Sequence, residues 1–143
     1  AGLCQRTTQG ALDEIGEFLL REGVAETFIE FRVPPDDIHI DGDFIELPGK
    51  LALVHTETLE YAPSVFHSRD EKWDILEITD RERMDMAANF LTVDTDLAIH
   101  YEGNPRVMAE VRARGIEVIQ IPGEEMMKGN GGIHCMTCPV LRV

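Results

Sequence analysis

The chain has 143 residues, 43% of them hydrophobic and 28% charged, which fits one globular domain with a buried core. Thirteen Lys and Arg against 27 Asp and Glu give a net charge of −14, which argues against nucleic acid or anionic membrane as partners. No apolar run approaches the ~20 residues of a membrane span, and residues 1–20 hold no signal-peptide core.

Thr7-Thr8 offers an N-cap to a first helix, whose stripe of Leu12, Ile15, Phe18, Leu19 and Leu20 ends at Gly23. AETFIEFRV, residues 25–33, is a predicted strand that Pro34-Pro35 breaks. DIHIDGDFIEL, residues 37–47, begins with strict alternation. Ile38, Ile40 and Phe44 take one face, while Asp37, His39, Asp41 and Asp43 take the other. Asp37 and Asp43 are expected to face solvent or the barrel mouth. LPGK then turns the chain into LALVHTETL, the partner strand of a hairpin.

Residues 79–88 predict a short helix with an acidic cap, and residues 90–101 a strand. Asn104 is the expected cap of a helix that has Pro105 at its first position and a buried stripe of Val107, Met108 and Val111. Gly115 ends it, and residues 116–122 form the next strand. A polar loop, GEEMMKGNGG, leads into IHCMTCPVLRV as a final strand. Short helices and strands interleave throughout, so the fold class is α/β.

Three cysteines, an odd number, do not make a disulfide framework, and a reducing cytoplasm is the expected setting. Cys135 and Cys138 form half of a structural zinc site, with no second pair to complete it. His55-Thr56-Glu57 supplies the H-x-E of a zinc deaminase, but the proline before its C-x-x-C is missing. His39 and Asp41, two apart on a strand, would leave the same face as an acid/base and charge-recognition pair. Alone, such a pair is commonly a solvated surface feature. A cysteine after Gly-Gly is equally weak alone, its bland counterpart being a buried inert thiol. Together they gain weight, because a Cys–His system is assembled in space from distant segments.

HIDGDF, GNGGIHCMT and the opening GLCQRTT together resemble the guanidine-modifying enzymes of the pentein fold. That superfamily includes arginine deiminases, dimethylarginine dimethylaminohydrolases, arginine dihydrolases and amidinotransferases. The matching elements, in the family's order, are Cys4-Gln5-Arg6-Thr7, His39-Ile40-Asp41 and Gly131-Gly132-Ile133-His134-Cys135. The resemblance implies pentein-type ββαβ units, with residues 1–143 as the C-terminal part of an α/β propeller whose N-terminal half is absent from this chain. It implies that Cys135 attacks the guanidinium carbon, His39 moves protons, Asp41 grips the guanidinium and Arg6 meets a substrate carboxylate.

The implied activity is cysteine-dependent hydrolysis of arginine or a related guanidino compound, through a covalent thiouronium-type intermediate. No metal or other cofactor is called for. Amidino transfer to an amine is the alternative within the class; a non-catalytic partner fragment and a zinc-binding module using Cys135 and Cys138 are the alternatives outside it. Cys4 and Gln5 stand where the family has serine and glutamate. Such a half-propeller would expose sheet edges and apolar surface, so association with an N-terminal half or with itself is expected. On the final strand His134 would point away from Cys135, and Cys138 would pack.

Overall fold

A computed structural model describes residues 1–34, 37–59, 62, 66, 72–138 and 140. Two three-stranded sheets share one plan: an antiparallel hairpin whose second strand pairs in parallel with a third, distant in sequence. The first contains β3 (Phe44–Leu47), β4 (Leu51–Val54) and β5 (Asp74–Glu77); the second contains β6 (Leu91–Asp94), β7 (Leu97–Tyr101) and β8 (Glu117–Ile121). Helix α3 (Pro105–Ala113) makes the crossover from β7 to β8, which completes a ββαβ unit. A two-stranded parallel pair, β1 (Gly2–Leu3) with β2 (Phe31–Arg32), flanks the first sheet. Helices α1 (Gln9–Arg21), α2 (Asp80–Met84) and α4 (Glu124–Met127) complete the described elements, which form no closed propeller.

Alternation along β4 explains how the layers meet. Leu51 and Leu53 join a core with Leu76, Phe90, Ala98, Val107, Met108 and Val111, which ties the two sheets and α3 together. Ala52 and Val54 face the opposite way, into a second core with Val33, Leu59 and Phe66. As the central strand β4 is covered on both faces, and all four of its residues are buried. The predicted hairpin is present, Leu47 facing Leu51 across Pro48–Lys50, where Gly49 and Lys50 take φ of 77° and 62°.

Helix ends follow their local chemistry. The Thr8 side chain accepts from Ala11 N, capping α1, and Thr79 forms a full capping box with Glu82 on α2. On α3 the expected stripe of Val107, Met108 and Val111 is buried, and Gly115 stops the helix at φ 84°. Asn104 does something else. It adopts φ 46°, makes no side-chain cap, and donates from Nδ2 to the Asp85 carbonyl at 2.7 Å.

Several expectations give way to tertiary contacts. Only Phe31–Arg32 of the 25–33 strand joins a ladder, while Phe28 lies on α1 over Gly16. The α1 stripe buries Leu12, whereas Ile15, Phe18 and Leu20 remain 45% exposed. Residues 90–101 fold back at 95–96 into two strands, and α4 occupies part of the predicted loop. The β5 strand, DILE, carries no strong alternation and has no counterpart among the predicted elements. Within 37–47 only the last four residues are a strand, because Ile40–Gly42 closes into a 3₁₀ turn. His134–Met136 is likewise a 3₁₀ turn rather than part of a final strand; residues 139 and 141–143 of that predicted strand lie outside the described residues.

Candidate active site

The tail of α2 and the Gly131-Gly132 approach meet at one buried amide. Ala87, Ala88 and Phe90 are fully buried and fix Asn89 between them, itself 2% exposed. Its Oδ1 accepts from the His134 backbone N–H at 2.8 Å, which leaves Nδ2 to donate to the Cys135 sulfur at 3.1 Å. The backbone therefore fixes which way the amide points. A Cβ on Gly132 would stand 2.1 Å from Asn89 Oδ1, so only glycine admits this approach.

The turn carrying Asn89 is pinned from beneath. Met86 sits at φ 57° and its carbonyl accepts from Asn89 N at 2.9 Å. The His100 Nε2 also lies 3.0 Å from that carbonyl, while Nδ1 lies 2.7 Å from the Tyr101 carbonyl. His100 is 1% exposed and tilted against the Phe90 ring at 4.3 Å. Burial pulls its pKa below the ordinary histidine value, and the carbonyls only partly oppose this.

On the other side stands Asp41, in the 3₁₀ turn. The Cys135 thiol donates to its Oδ2 at 3.6 Å, the same oxygen lies 3.4 Å from His134 Nδ1, and Oδ1 lies 3.8 Å from His39 Nδ1. His39, Asp41, Asn89 and Cys135 line one cavity of about 340 Å³, together with Asp37, Asp43 and Arg83. The structure thus brings His39, Asp41 and Cys135 around one space. Arg6 does not line it. The Arg6 side chain is exposed on the Cys4–Thr7 turn, which touches the cavity wall through Cys4 Sγ on the Ile38 carbonyl at 3.4 Å. Among the described residues its guanidinium makes no hydrogen bond or ion pair.

Other side chains depart from their expected places. His134 does not turn away from Cys135, because a 3₁₀ turn rotates successive side chains by about 120° instead of 180°. Cys138 is exposed rather than packed. Asp43 does not face solvent; it is 1% exposed, and Arg83 binds it and Asp37 at 2.5 Å each. Burial pushes the Asp43 carboxyl above its usual range, and the Arg83 charge works against that push. His55 donates or accepts at Thr58 Oγ1 (2.7 Å) and lines a neighbouring cavity, away from Cys135. Its Nε2 is 3.0 Å from Asp80 Oδ1 but lacks hydrogen-bond alignment. Among the described residues no three His, Cys, Asp or Glu side chains converge as a metal site.

Sequence reasoning missed Asn89 and Arg83. For Asn89 a signal existed, a polar residue set inside the apolar run AANFL. For Arg83 there was none, since its partners lie far away in the chain.

The family described as arginine deiminase matches residues 70–142. The chain belongs to the arginine deiminase family. It thereby falls in the pentein guanidino-modifying superfamily. An uncharacterized Bacillus subtilis (strain 168) protein, YkgA, is 25% identical over 141 residues, covering 99% of this chain and 47% of YkgA. Arginine deiminase of Rhodococcus erythropolis is 41% identical over 63 residues, 44% of this chain and 16% of that enzyme. Among solved structures, the product-bound N-terminal domain of ArgZ, a cyanobacterial arginine dihydrolase, superposes with a TM-score of 0.81 at 19% identity. That match covers 99% of this chain and 50% of the other. A DDAH mutant from Pseudomonas aeruginosa complexed with citrulline gives 0.77 at 23% identity, covering 94% and 48%. These likenesses establish the mixed α/β fold. The chain spans about half of YkgA and of the ArgZ domain, and a smaller part of the arginine deiminases.

Proposed function

We propose that this chain supplies the nucleophile side of an active site that hydrolyses the guanidino group of arginine or a related compound, and that it forms the C-terminal part of a pentein propeller. The cavity shared by His39, Asp41 and Cys135 is the observation that supports this reading. Asp41 would accept two N–H groups of the flat cation and so hold its carbon before the Cys135 sulfur. The incoming positive charge favours the thiolate, and the Asn89 amide offers the sulfur a hydrogen bond.

Attack forms a C–S bond at the guanidinium carbon. His39 protonates the departing nitrogen, the C–N bond breaks, and an S-linked thiouronium remains on Cys135. His39 then takes a proton from water, the hydroxide adds to the same carbon, and the C–S bond breaks to return the thiolate and release a ureido product. Arg6 would pair with a substrate carboxylate. Further acidic groups would come from an N-terminal half, on which a complete site depends.

Labelling the purified chain with 2-chloroacetamidine tests the reading. This amidinium mimics the substrate head and carries its own leaving group. Mass spectrometry is expected to find the adduct on Cys135, lost in Cys135→Ser and kept in Cys138→Ser. Equal labelling of Cys4, Cys135 and Cys138, with no preference over the neutral chloroacetamide, would leave this chain a non-catalytic partner. Release of ammonia from arginine by the completed site, abolished in Cys135→Ala, is the corresponding activity measurement.

A further inference from the structure

One guanidinium grips both ends of the segment that carries His39 and Asp41. Arg83 Nη2 donates to Asp37 Oδ2 and Arg83 Nε to Asp43 Oδ1, each at 2.5 Å. Asp37 stands two residues before His39, and Asp43 two residues after Asp41. We infer that Arg83 is a positioning residue, a clamp that fixes the 37–43 loop so that His39 and Asp41 face Cys135. The inference rests on the functional reading above for what those residues do, but not for the geometry that holds them.

Other contacts hold single points of this loop: Ile40 packs against the second core and close to Gly2, and Thr58 hydrogen-bonds the Asp43 side chain. Asp43 N bonds back to the Ile40 carbonyl at 2.9 Å, and Asp43 O accepts from His55 N at 2.8 Å, so the exit is tied to the end of β4. The entry has the Asp37 N bond to the Pro34 carbonyl at 3.0 Å and the Cys4 thiol on Ile38. Neither spans the loop. Arg83 alone among the described side chains joins its two ends.

The clamp is anchored to the scaffold. Arg83 lies in α2, next to Glu82, which closes the capping box and binds Arg106 of α3 at 2.6 Å. Arg106 Nη2 also donates to the Glu77 carbonyl at the end of β5 at 2.8 Å. A rigid path thus runs from α3 and β5 through α2 to the loop. The Arg83–Asp37 pair also lines a second cavity, of about 570 Å³, and forms the wall between the two.

The choice of arginine has a chemical reason. A planar guanidinium presents separate N–H edges to two carboxylates at once, whereas a lysine ammonium is a single point. Satisfying Asp37 and Asp43 internally leaves Asp41 as the carboxylate in contact with the Cys135 sulfur. Without Arg83 the buried Asp43 would keep only its Thr58 hydrogen bond and His55 at 3.8 Å, and the loop would rearrange or take up a proton.

The test compares wild type, Arg83→Ala, Arg83→Lys and Asp37→Asn in the full chain. It reads the ratio of Cys135 labelling by 2-chloroacetamidine to that by neutral chloroacetamide, together with the His39 ring signal in NMR, assigned by His39→Asn. Arg83→Ala and Asp37→Asn are expected to lower the labelling ratio by about tenfold and to move the His39 signal. Arg83→Lys should recover only part of both. A wild-type ratio and an unmoved His39 signal in Asp37→Asn and Arg83→Ala would overturn the clamp, as would full recovery in Arg83→Lys. Should Arg83→Ala fail to fold, Asp37→Asn decides, because its carboxylate lies at the more exposed end. Failure of the functional reading would show separately, as a wild-type chain without amidinium preference; the His39 signal would still report on the clamp.

Discussion

The side-chain amide of Asn89 lies between the Cys135 sulfur, 3.1 Å from its nitrogen, and the His134 backbone N–H, 2.8 Å from its oxygen. One buried residue thus aims the turn and faces the thiol. Replacing it with alanine leaves the His134 N–H without its partner, at a cost of about 1–3 kcal/mol. Asn89→Ala should therefore lower the unfolding midpoint and slow Cys135 alkylation at fixed pH, while Cys138 alkylation stays as in wild type. Urea unfolding and peptide-resolved alkylation rates check the two halves of this expectation.

Gly132 and Gly131 separate close approach from mere flexibility. A Cβ at Gly132 would overlap Asn89 Oδ1 at 2.1 Å, whereas one at Gly131 would meet only the Cys135 Cβ at 3.9 Å. Gly132→Ala is expected to disturb the Cys135 site as strongly as Asn89→Ala, and Gly131→Ala to be tolerated. Similar alkylation kinetics for the two glycine variants would contradict the packing argument.

Gly123 meets the Tyr101 ring. A Cβ there would lie 2.2 Å from ring carbons, too close for a rotamer change to relieve without moving β7 or the chain entering α4. The Tyr101 hydroxyl in turn contacts the Met136 sulfur at 3.9 Å, beside Cys135. Gly123→Ala should cost about 1–3 kcal/mol of stability. Thermal unfolding measures it, and a change within error would show that the ring can yield.

Acid should act through Glu82. The Arg106 guanidinium, helped by the Thr79 N–H and hydroxyl, holds its pKa down to about 2 from 4.5, against an opposing push from burial. An acid whose pKa falls on folding stabilises the fold fully above its unfolded value and loses that contribution as pH falls through the folded one. The stability gap between wild type and Glu82→Gln should therefore be widest above pH 4.5 and close toward pH 2. Unfolding midpoints measured across that window test this; a gap independent of pH would remove Glu82 as the cause.

Local rules carried much of the fold. The Thr8 cap, the Val107, Met108 and Val111 stripe, the stop at Gly115 and the hairpin turning on LPGK each depend on residues a few positions apart. Such interactions are written in the spacing itself. Alternation predicts a strand over 37–47, and only Phe44–Leu47 finds a ladder partner. Instead Ile40–Gly42 closes into a turn, and the acids on either side of it, Asp37 and Asp43, meet Arg83, 46 and 40 residues away.

The sequence by itself determined the α/β class, its main helices and the set of residues, His39, Asp41 and Cys135, worth bringing together. Only the tertiary structure decided how they meet. Asp43 became a buried partner of Arg83, His134 came beside Asp41, and Asn89 reached the Cys135 sulfur. The reason is physical: periodicity encodes which face of an element is apolar, whereas a buried polar group takes whatever partner the packed chain brings within reach.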